Sequence, residues 1–98
     1  EGTSEIGKNT SWTNLADLNL SANEIRDEGA NELGKNTIWS NLTTLKLRFN
    51  SISDEGVIAL SKNATWTNLT TLELSANRID ANGKSTVQAR WPRASIAI

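Results

Sequence analysis

Two pairs of adjacent carboxylates, Asp27-Glu28 and Asp54-Glu55, are the residues whose type and spacing best fit chemistry. Paired carboxylates act as acid and base in glycoside hydrolysis and bind calcium through oxygen. The pairs recur 27 residues apart, whereas an active site is normally built once, and Ala81-Asn82 stands where a third pair would fall. Acidic residues at a helix start also cap exposed N–H groups and suit the helix dipole. We therefore expect helix capping rather than catalysis or calcium binding.

The residues that other catalytic and cofactor chemistries need are missing. The chain has no cysteine and no histidine. This excludes a disulfide framework, a Cys/His zinc site, a thiol nucleophile and a Ser-His-Asp triad. A Ser/Lys dyad has no supporting motif, and Gly83-Lys84-Ser85 lacks the upstream glycine of a phosphate-binding loop. The sequence predicts neither an enzyme nor a bound cofactor.

Charge and composition limit the classes of partner. Ten basic residues nearly balance 11 acidic ones, and the net charge of -1 argues against nucleic acid and against a polybasic membrane contact. The apolar runs are too short to span a bilayer or to form a signal-peptide core. The chain is rich in Asn, Thr and Ser, so its Asn-x-Ser/Thr sequons are interpreted as by-products of composition, and glycosylation stays open. The sequons begin at Asn9, Asn19, Asn41, Asn63 and Asn68.

A period of 27 residues organises the chain. Residues 9–35 and 36–62 match at 14 of 27 positions when aligned without gaps, and a third copy spans 63–89. Residues 1–8 match the end of a repeat, so the sequence begins within a repeat. We expect a single domain of residues 1–98, with 90–98 forming a shortened terminal repeat or a tail.

The repeated core reads N-x-x-W-x-N-L-x-x-L-x-L-x-x-N-x-I-x-x-x-G, with a D-E-G-x-x-x-L second half in the first two copies. This pattern resembles the leucine-rich repeat family over residues 1–88, and the 27-residue length resembles its ribonuclease-inhibitor-like subclass. The resemblance implies an α/β solenoid with a parallel β-sheet on its concave side and helices on its convex side. It also implies binding of a protein or peptide, and it slightly favours the cytoplasm, although the compartment stays open.

The residues themselves predict the same elements. Leu18-Asn19-Leu20 alternates as a half-buried strand must. Copies at a fixed period bury a core only when stacked, which places Leu18, Leu45 and Leu72 side by side in parallel strands. The expected strands span 15–20, 42–47 and 69–74. Helices are expected over 28–35 and 55–62, with a weaker one over 82–90 and a helical end of a repeat over 1–8.

Three further repeated positions have structural interpretations. Side-chain amides that follow each strand are expected to bridge unpaired backbone groups of neighbouring repeats. The repeated tryptophans are interpreted as a stacked column in the core, and the repeated glycines as tight strand-to-helix approaches. These positions are Asn23, Asn50 and Asn77, then Trp12, Trp39 and Trp66, then Gly29, Gly56 and Gly83.

Partner choice should depend on exposed positions that differ between repeats, because folding explains the shared ones. The middle copy carries Lys46, Arg48 and Phe49, the only phenylalanine, and an aromatic beside arginine is typical of an interface anchor. In an equally weighted alternative, Phe49 packs against Ile52 of its own repeat. We predict a protein-binding surface on the concave face that comprises Asp17, Asn19, Thr44, Lys46, Arg48, Phe49, Thr71 and Glu73.

The two ends of the repeat array lack a recognisable cap. The repeat frame breaks at Trp91-Pro92-Arg93, and residues 94–98 then resume alternation. We predict a fourth, edge strand there, with Trp91 in the place of Trp66; the alternative is a disordered or vector-derived tail. Unpaired strand edges invite pairing with other chains. The second functional hypothesis is therefore a structural segment of a longer or self-associating solenoid, with homo-oligomers formed through the ends.

Overall fold

The computed structural model describes residues 14–98, where four short strands alternate with three helices. In chain order these are β1 (Asp17–Asn19), α1 (Arg26–Gly34), β2 (Thr44–Lys46), α2 (Asp54–Ser61), β3 (Thr71–Glu73), α3 (Ala81–Arg90) and β4 (Ser95–Ala97). The strands form one parallel sheet in the order β1-β2-β3-β4. Each helix packs on the helix of the next repeat. The α/β repeat fold is confirmed, while the helix expected over 1–8 lies outside the described residues.

Side-chain alternation sets the register of the sheet. Leu18, Leu45 and Leu72 are direct partners across β1, β2 and β3. Leu45 and Leu72 are buried in the core, and Leu18 is half-buried on the edge strand. Strands lie about 4.8 Å apart, whereas helices are about 10 Å wide, so the sheet forms the inner, concave side of the stack.

The predicted fourth strand is present, and the alternative of a disordered tail is wrong. β4 pairs with β3 in parallel, with Ile96 opposite Leu72. Trp91 takes the place of the repeat tryptophan: its ring stacks on Trp66 with centroids 6.4 Å apart, and its Nε1 donates to the Trp66 carbonyl oxygen at 2.9 Å. The terminal repeat is a few residues shorter than the others, yet it keeps the tryptophan contact in the core and the strand register.

The repeat tryptophans of the described residues belong to the core, as predicted, and ring stacking is present between Trp66 and Trp91. Trp39 and Trp66 are completely buried, and Trp91 is nearly so. The indole Nε1 atoms of Trp39 and Trp66 have no hydrogen-bond partner within residues 14–98. Shape and apolar area therefore stabilise these two side chains, because a buried N–H group without a partner only subtracts from stability. Trp12 lies outside the described residues.

Asn50 and Asn77, which follow β2 and β3, bridge neighbouring repeats, as predicted, whereas the side chain of Asn23 bonds within its own turn. The buried Asn50 accepts hydrogen bonds from the backbone N–H groups of Asn23 and Ile25 in the preceding repeat, at 2.8 and 3.3 Å. Its Nδ2 donates to the carbonyl oxygens of Leu20 and Arg48, at 3.0 and 3.1 Å. Asn77 repeats this pattern one repeat later. One amide side chain thus pairs backbone groups in two turns at once.

A second asparagine ladder was not predicted from the sequence. Asn63 accepts from the N–H of Trp66 at 2.9 Å and donates to the carbonyl oxygens of Gly34 and Asn36, at 3.1 and 2.9 Å. Arg90 stands 27 residues later and donates through its guanidinium to the Asn63 carbonyl oxygen at 2.6 Å. The signal was the asparagine that opens every repeat. The side chain of Asn63 is thereby committed to the fold, despite its sequon.

The helix-capping prediction for the acidic pairs is wrong. None of the three described helices has a side-chain cap. Asp27 instead reaches into the next repeat, where it accepts from the backbone N–H and the hydroxyl of Ser53, at 2.7 and 2.5 Å. Asp54 accepts from the N–H of Asp80 at 2.7 Å in the same way. These carboxylates thus pair the backbone N–H of the residue that precedes the next helix, which is Ser53 before α2 and Asp80 before α3.

The repeated glycines leave space for this contact. A Cβ atom on Gly56 would collide with the Asp27 carboxylate and lie 2.7 Å from Cγ2 of Ile52. Gly83 has the same relation to Asp54. At Gly56 and Gly83 the close approach is therefore between consecutive helices and not, as the sequence suggested, between a strand and a helix.

Candidate protein-binding face

Six of the predicted site residues form two parallel rows across the sheet. Asp17, Thr44 and Thr71 are direct partners, and so are Asn19, Lys46 and Glu73, which make the second row. Because the leucines between the rows point into the core, both rows point away from the helices. The structure thus brings these residues together on the concave face, which we define as the side of β1 to β4 that faces away from the helices.

Arg48 and Phe49 lie beyond β2, at the carboxyl-terminal edge of the concave face. The loop that carries them is bonded to both neighbouring repeats: the Ala22 N–H donates to the Arg48 carbonyl oxygen at 2.8 Å, and the Phe49 N–H donates to the Ser75 carbonyl oxygen at 3.2 Å. The next residue is the buried Asn50 of the ladder. The two side chains therefore project from a backbone that is held on both sides.

Phe49 is exposed rather than packed. Of its surface, 58% is accessible to solvent, so the alternative in which it packs against the buried Ile52 does not account for this side chain. The guanidinium of Arg48 lies 5.5 Å from the centroid of the Phe49 ring, within the range of a cation–π contact. The pair forms an amphipathic surface of one aromatic face and one cation.

The backbone of Phe49 is left-handed, with φ of 55°. Bulky residues rarely adopt this region because Cβ crowds the backbone. The equivalent residues of the neighbouring repeats, Ala22 and Ala76, share the conformation with φ of 59°. The turn therefore demands this backbone in every described repeat, and only the middle one combines it with a large aromatic side chain.

Some polar groups of the face are already used within the chain. The Asn19 side-chain oxygen accepts from the N–H of Ser21 at 3.0 Å, which leaves its amide NH2 facing solvent. The hydroxyls of Thr43 and Thr70 donate to carbonyl oxygens of the preceding repeat, at 3.0 and 3.2 Å. Lys46 and Arg48 form no ion pair within residues 14–98. The cations are therefore the groups that remain open to an incoming ligand.

A protein-family model described as "Leucine Rich repeat" matches the chain three times, over residues 13–34, 40–61 and 67–85. These segments cover more than half of the sequence. The chain belongs to the leucine-rich repeat family. A comparison with curated proteins found no match. Leucine-rich repeats generally mediate contacts between proteins, and members of the family are typically not enzymes.

The leucine-rich repeat matches end at residue 85, inside α3. Arg90, Trp91 and β4 follow, where the repeat is shortened and arginine replaces the ladder asparagine. The middle leucine-rich repeat therefore has a complete repeat stacked on its carboxyl-terminal side. The candidate surface is centred on this supported repeat.

Within residues 14–98 there is neither a metal-type cluster of side chains nor a helix that could span a membrane. Residues 14–98 contain no group of three or more acidic, histidine or cysteine side chains placed to hold a metal ion. None of their helices is long and apolar enough to cross a membrane. On the convex side, a groove between α1 and α2 is lined by Asp27, Glu28, Asn31, Glu55 and Ala59.

Proposed function

We propose that this leucine-rich repeat chain is a protein-interaction module that binds a protein or peptide on its concave face. The single observation that carries the proposal is Phe49, a largely exposed aromatic side chain on a left-handed backbone, stacked with Arg48. The flanking residues are Lys46 with Asp17, Asn19, Thr44, Thr71 and Glu73.

The fold does not account for Phe49. An aromatic ring contributes to stability mainly through the area that it buries, and Phe49 leaves most of that area in water. Its left-handed backbone adds strain of order 1–3 kcal/mol. Aromatic and arginine side chains on a rigid support are the residues most often found at the energetic centre of protein interfaces. A partner that covers the ring would recover the apolar burial that the isolated chain lacks.

Phe49→Ala is expected to separate binding from stability. Alanine already occupies the equivalent left-handed position in the flanking repeats. The free energy of unfolding should therefore change by less than about 0.5 kcal/mol, as measured by urea denaturation. Ligands selected from a random peptide library on the wild-type chain should bind the variant more weakly by roughly 1–3 kcal/mol.

The matched control is Ile58→Ala, which removes an exposed apolar side chain from the convex helix α2. It should leave peptide affinity unchanged. If the selected ligands bind the Phe49→Ala variant as tightly as the wild type, or if both variants lose affinity equally, the concave face is not the binding surface.

The second candidate function is a structural segment that associates through its ends. Within residues 14–98, β1 and β4 are the edges of the sheet, and Ile98 beside β4 is 40% exposed. An unpaired edge offers free N–H and C=O groups to another strand. A net charge of -1 provides little repulsion between copies.

For this second candidate, light scattering after size exclusion should show species larger than 10.7 kDa whose share rises with concentration. Ile98→Lys should restore the monomer, because a charge at a strand edge opposes pairing. A monomer at every concentration would exclude association through the ends. It would leave the binding proposal untouched.

We also infer that residues 1–98 form one domain of the ribonuclease-inhibitor-like subclass. The α-helices in the second half of each described repeat and the 27-residue spacing of the ladder asparagines support this assignment.

A further inference from the structure

Resting on the proposed function of the concave face, we infer that its ligand is an extended acidic segment. This segment presents two carboxylates at alternate positions, followed by an apolar side chain. The carboxylates meet Lys46 and Arg48, and the apolar side chain covers Phe49.

The spacing of the two cations sets the spacing of the carboxylates. Lys46 and Arg48 flank Leu47, which is completely buried, so both project on the side away from the core. Alternate residues of an extended chain lie about 7 Å apart. A ligand in the same extended conformation presents its own alternate side chains at this distance, and it can therefore place one carboxylate against each cation.

The surroundings leave both cations without a counter-ion. The residues equivalent to Arg48 in the adjacent repeats are Ser21 and Ser75, which carry no charge. Beside Lys46 lie Asn19 and Glu73 in register, yet neither cation forms an ion pair within the described chain. An anionic ligand group can therefore bind Arg48 without displacing a carboxylate of the protein, whereas at Lys46 it lies beside Glu73.

The acidic residues near Lys46 limit the width of the anionic ligand that the concave face can accept. Glu73 on β3 is the direct partner of Lys46, and Asp17 on β1 is the partner of Thr44, two residues before Lys46 on the same face. Strands are about 4.8 Å apart, so a broad polyanion such as nucleic acid would also meet these carboxylates and be repelled. Two local carboxylates over the central strand fit the cationic stripe, and the net charge of -1 adds no long-range attraction for phosphates.

The Arg48–Phe49 contact explains the apolar residue that follows. A guanidinium stacked on a ring keeps its N–H edge free for a two-point contact with a carboxylate. The exposed remainder of the Phe49 ring then lies beside this contact. The next ligand side chain on the same face, two residues after the second carboxylate, gains most if it is aliphatic or aromatic.

The test uses two fluorescein-labelled peptides that differ only in charge, with the central sequences Asp-Ser-Asp-Ser-Leu and Asn-Ser-Asn-Ser-Leu, so that both acidic or amide side chains and the leucine lie on one face of the extended peptide. Fluorescence anisotropy should show at least about tenfold tighter binding of the acidic peptide, with the difference shrinking as salt rises. Equal behaviour of the two peptides, including failure of both to bind, overturns the inference. Tighter binding of a labelled single-stranded DNA oligonucleotide also overturns it, because the site would then prefer phosphates.

Substitutions of the two cations, with a control substitution elsewhere, test whether the affinity for the acidic peptide depends on Lys46 and Arg48. Lys46→Glu introduces the residue that the third repeat carries at this position, and Arg48→Ser introduces the one that both neighbours carry, so both should fold. Each should reduce affinity for the acidic peptide by roughly three- to tenfold. Lys62→Glu makes the same charge change at the exposed end of α2 and should leave affinity within about twofold, since screening weakens distant charges. Equal losses from Lys46→Glu and Lys62→Glu contradict the assignment.

The outcome of the random library selection distinguishes this inference from the function on which it rests. Selected peptides that require Phe49 but show no enrichment in acidic residues overturn the acidic ligand and leave the binding face in place. A selection that yields no peptide dependent on Phe49 overturns both.

Discussion

Asn50→Ala is expected to lower the free energy of unfolding by roughly 3–5 kcal/mol, because it leaves several buried backbone groups without a hydrogen-bond partner. Asn50 is completely buried. Its side chain accepts from the N–H groups of Asn23 and Ile25 and donates to the carbonyl oxygens of Leu20 and Arg48. Alanine reaches none of these groups, and each unpaired buried group costs about 1–3 kcal/mol before relaxation. Since domains of this size are stable by only about 5–15 kcal/mol, the variant should be mostly unfolded in mild urea.

The comparison variant for Asn50 is Asn23→Ala, at the equivalent ladder position of the preceding repeat. Asn23 is exposed, and its Nδ2 donates to the carbonyl oxygens of Leu20 and Ser21 in its own turn. Water can replace these bonds, so the loss should stay near about 1 kcal/mol. Urea unfolding followed by far-UV circular dichroism measures both variants. Equal losses would show that burial of the ladder does not decide its contribution.

Trp66→Ala is expected to cost roughly 3–5 kcal/mol, the range typical for removal of a large aromatic side chain from a core. Trp66 is completely buried and stacks on Trp91 in the terminal unit. Its removal therefore opens a cavity and weakens the attachment of β4. Thermal unfolding should show a lower midpoint, and amide exchange in residues 95–97 should accelerate.

Phenylalanine substitutions in the same column provide the control. For each unit of buried area that is removed, Trp66→Phe should lower the free energy of unfolding less than Trp91→Phe does. The reason is that the Trp66 Nε1 has no hydrogen-bond partner among the described residues. The Trp91 Nε1, by contrast, donates to the Trp66 carbonyl oxygen. The lost hydrogen bond is worth about 1 kcal/mol. The reverse order would indicate that the buried indole N–H of Trp66 has a partner in solution.

Much of the fold was predictable from the residue pattern. The 27-residue period predicted the parallel strands, the pairing of Leu18 with Leu45 and of Leu45 with Leu72, and the bridging role of Asn50. The alternation that resumes after the break in the frame predicted the strand around Ile96. The reason is physical: when copies stack at a fixed period, equivalent residues must lie side by side, so a pattern along the chain becomes a register across the sheet.

The candidate site was only partly predictable. The sequence identified Lys46, Arg48 and Phe49 because they differ from their counterparts in the other repeats, and alternation of side chains placed Lys46 on the outer side of the sheet. Whether the Phe49 ring was exposed or packed against Ile52 stayed open. Exposure depends on the direction in which the turn points the Cβ atom, and that direction follows from the left-handed backbone of Phe49.

The hydrogen-bond partners of several polar side chains were decided by the tertiary structure alone. Asp27 has the sequence signature of a helix cap, yet its carboxylate binds Ser53 in the next repeat. Arg90 stands where the other repeats carry an asparagine, and it donates to the Asn63 carbonyl oxygen. Periodicity specifies which residues are equivalent and therefore adjacent. It does not specify how far one helix slides or rotates against the next, and that packing selects the hydrogen-bond partner of each remaining polar group.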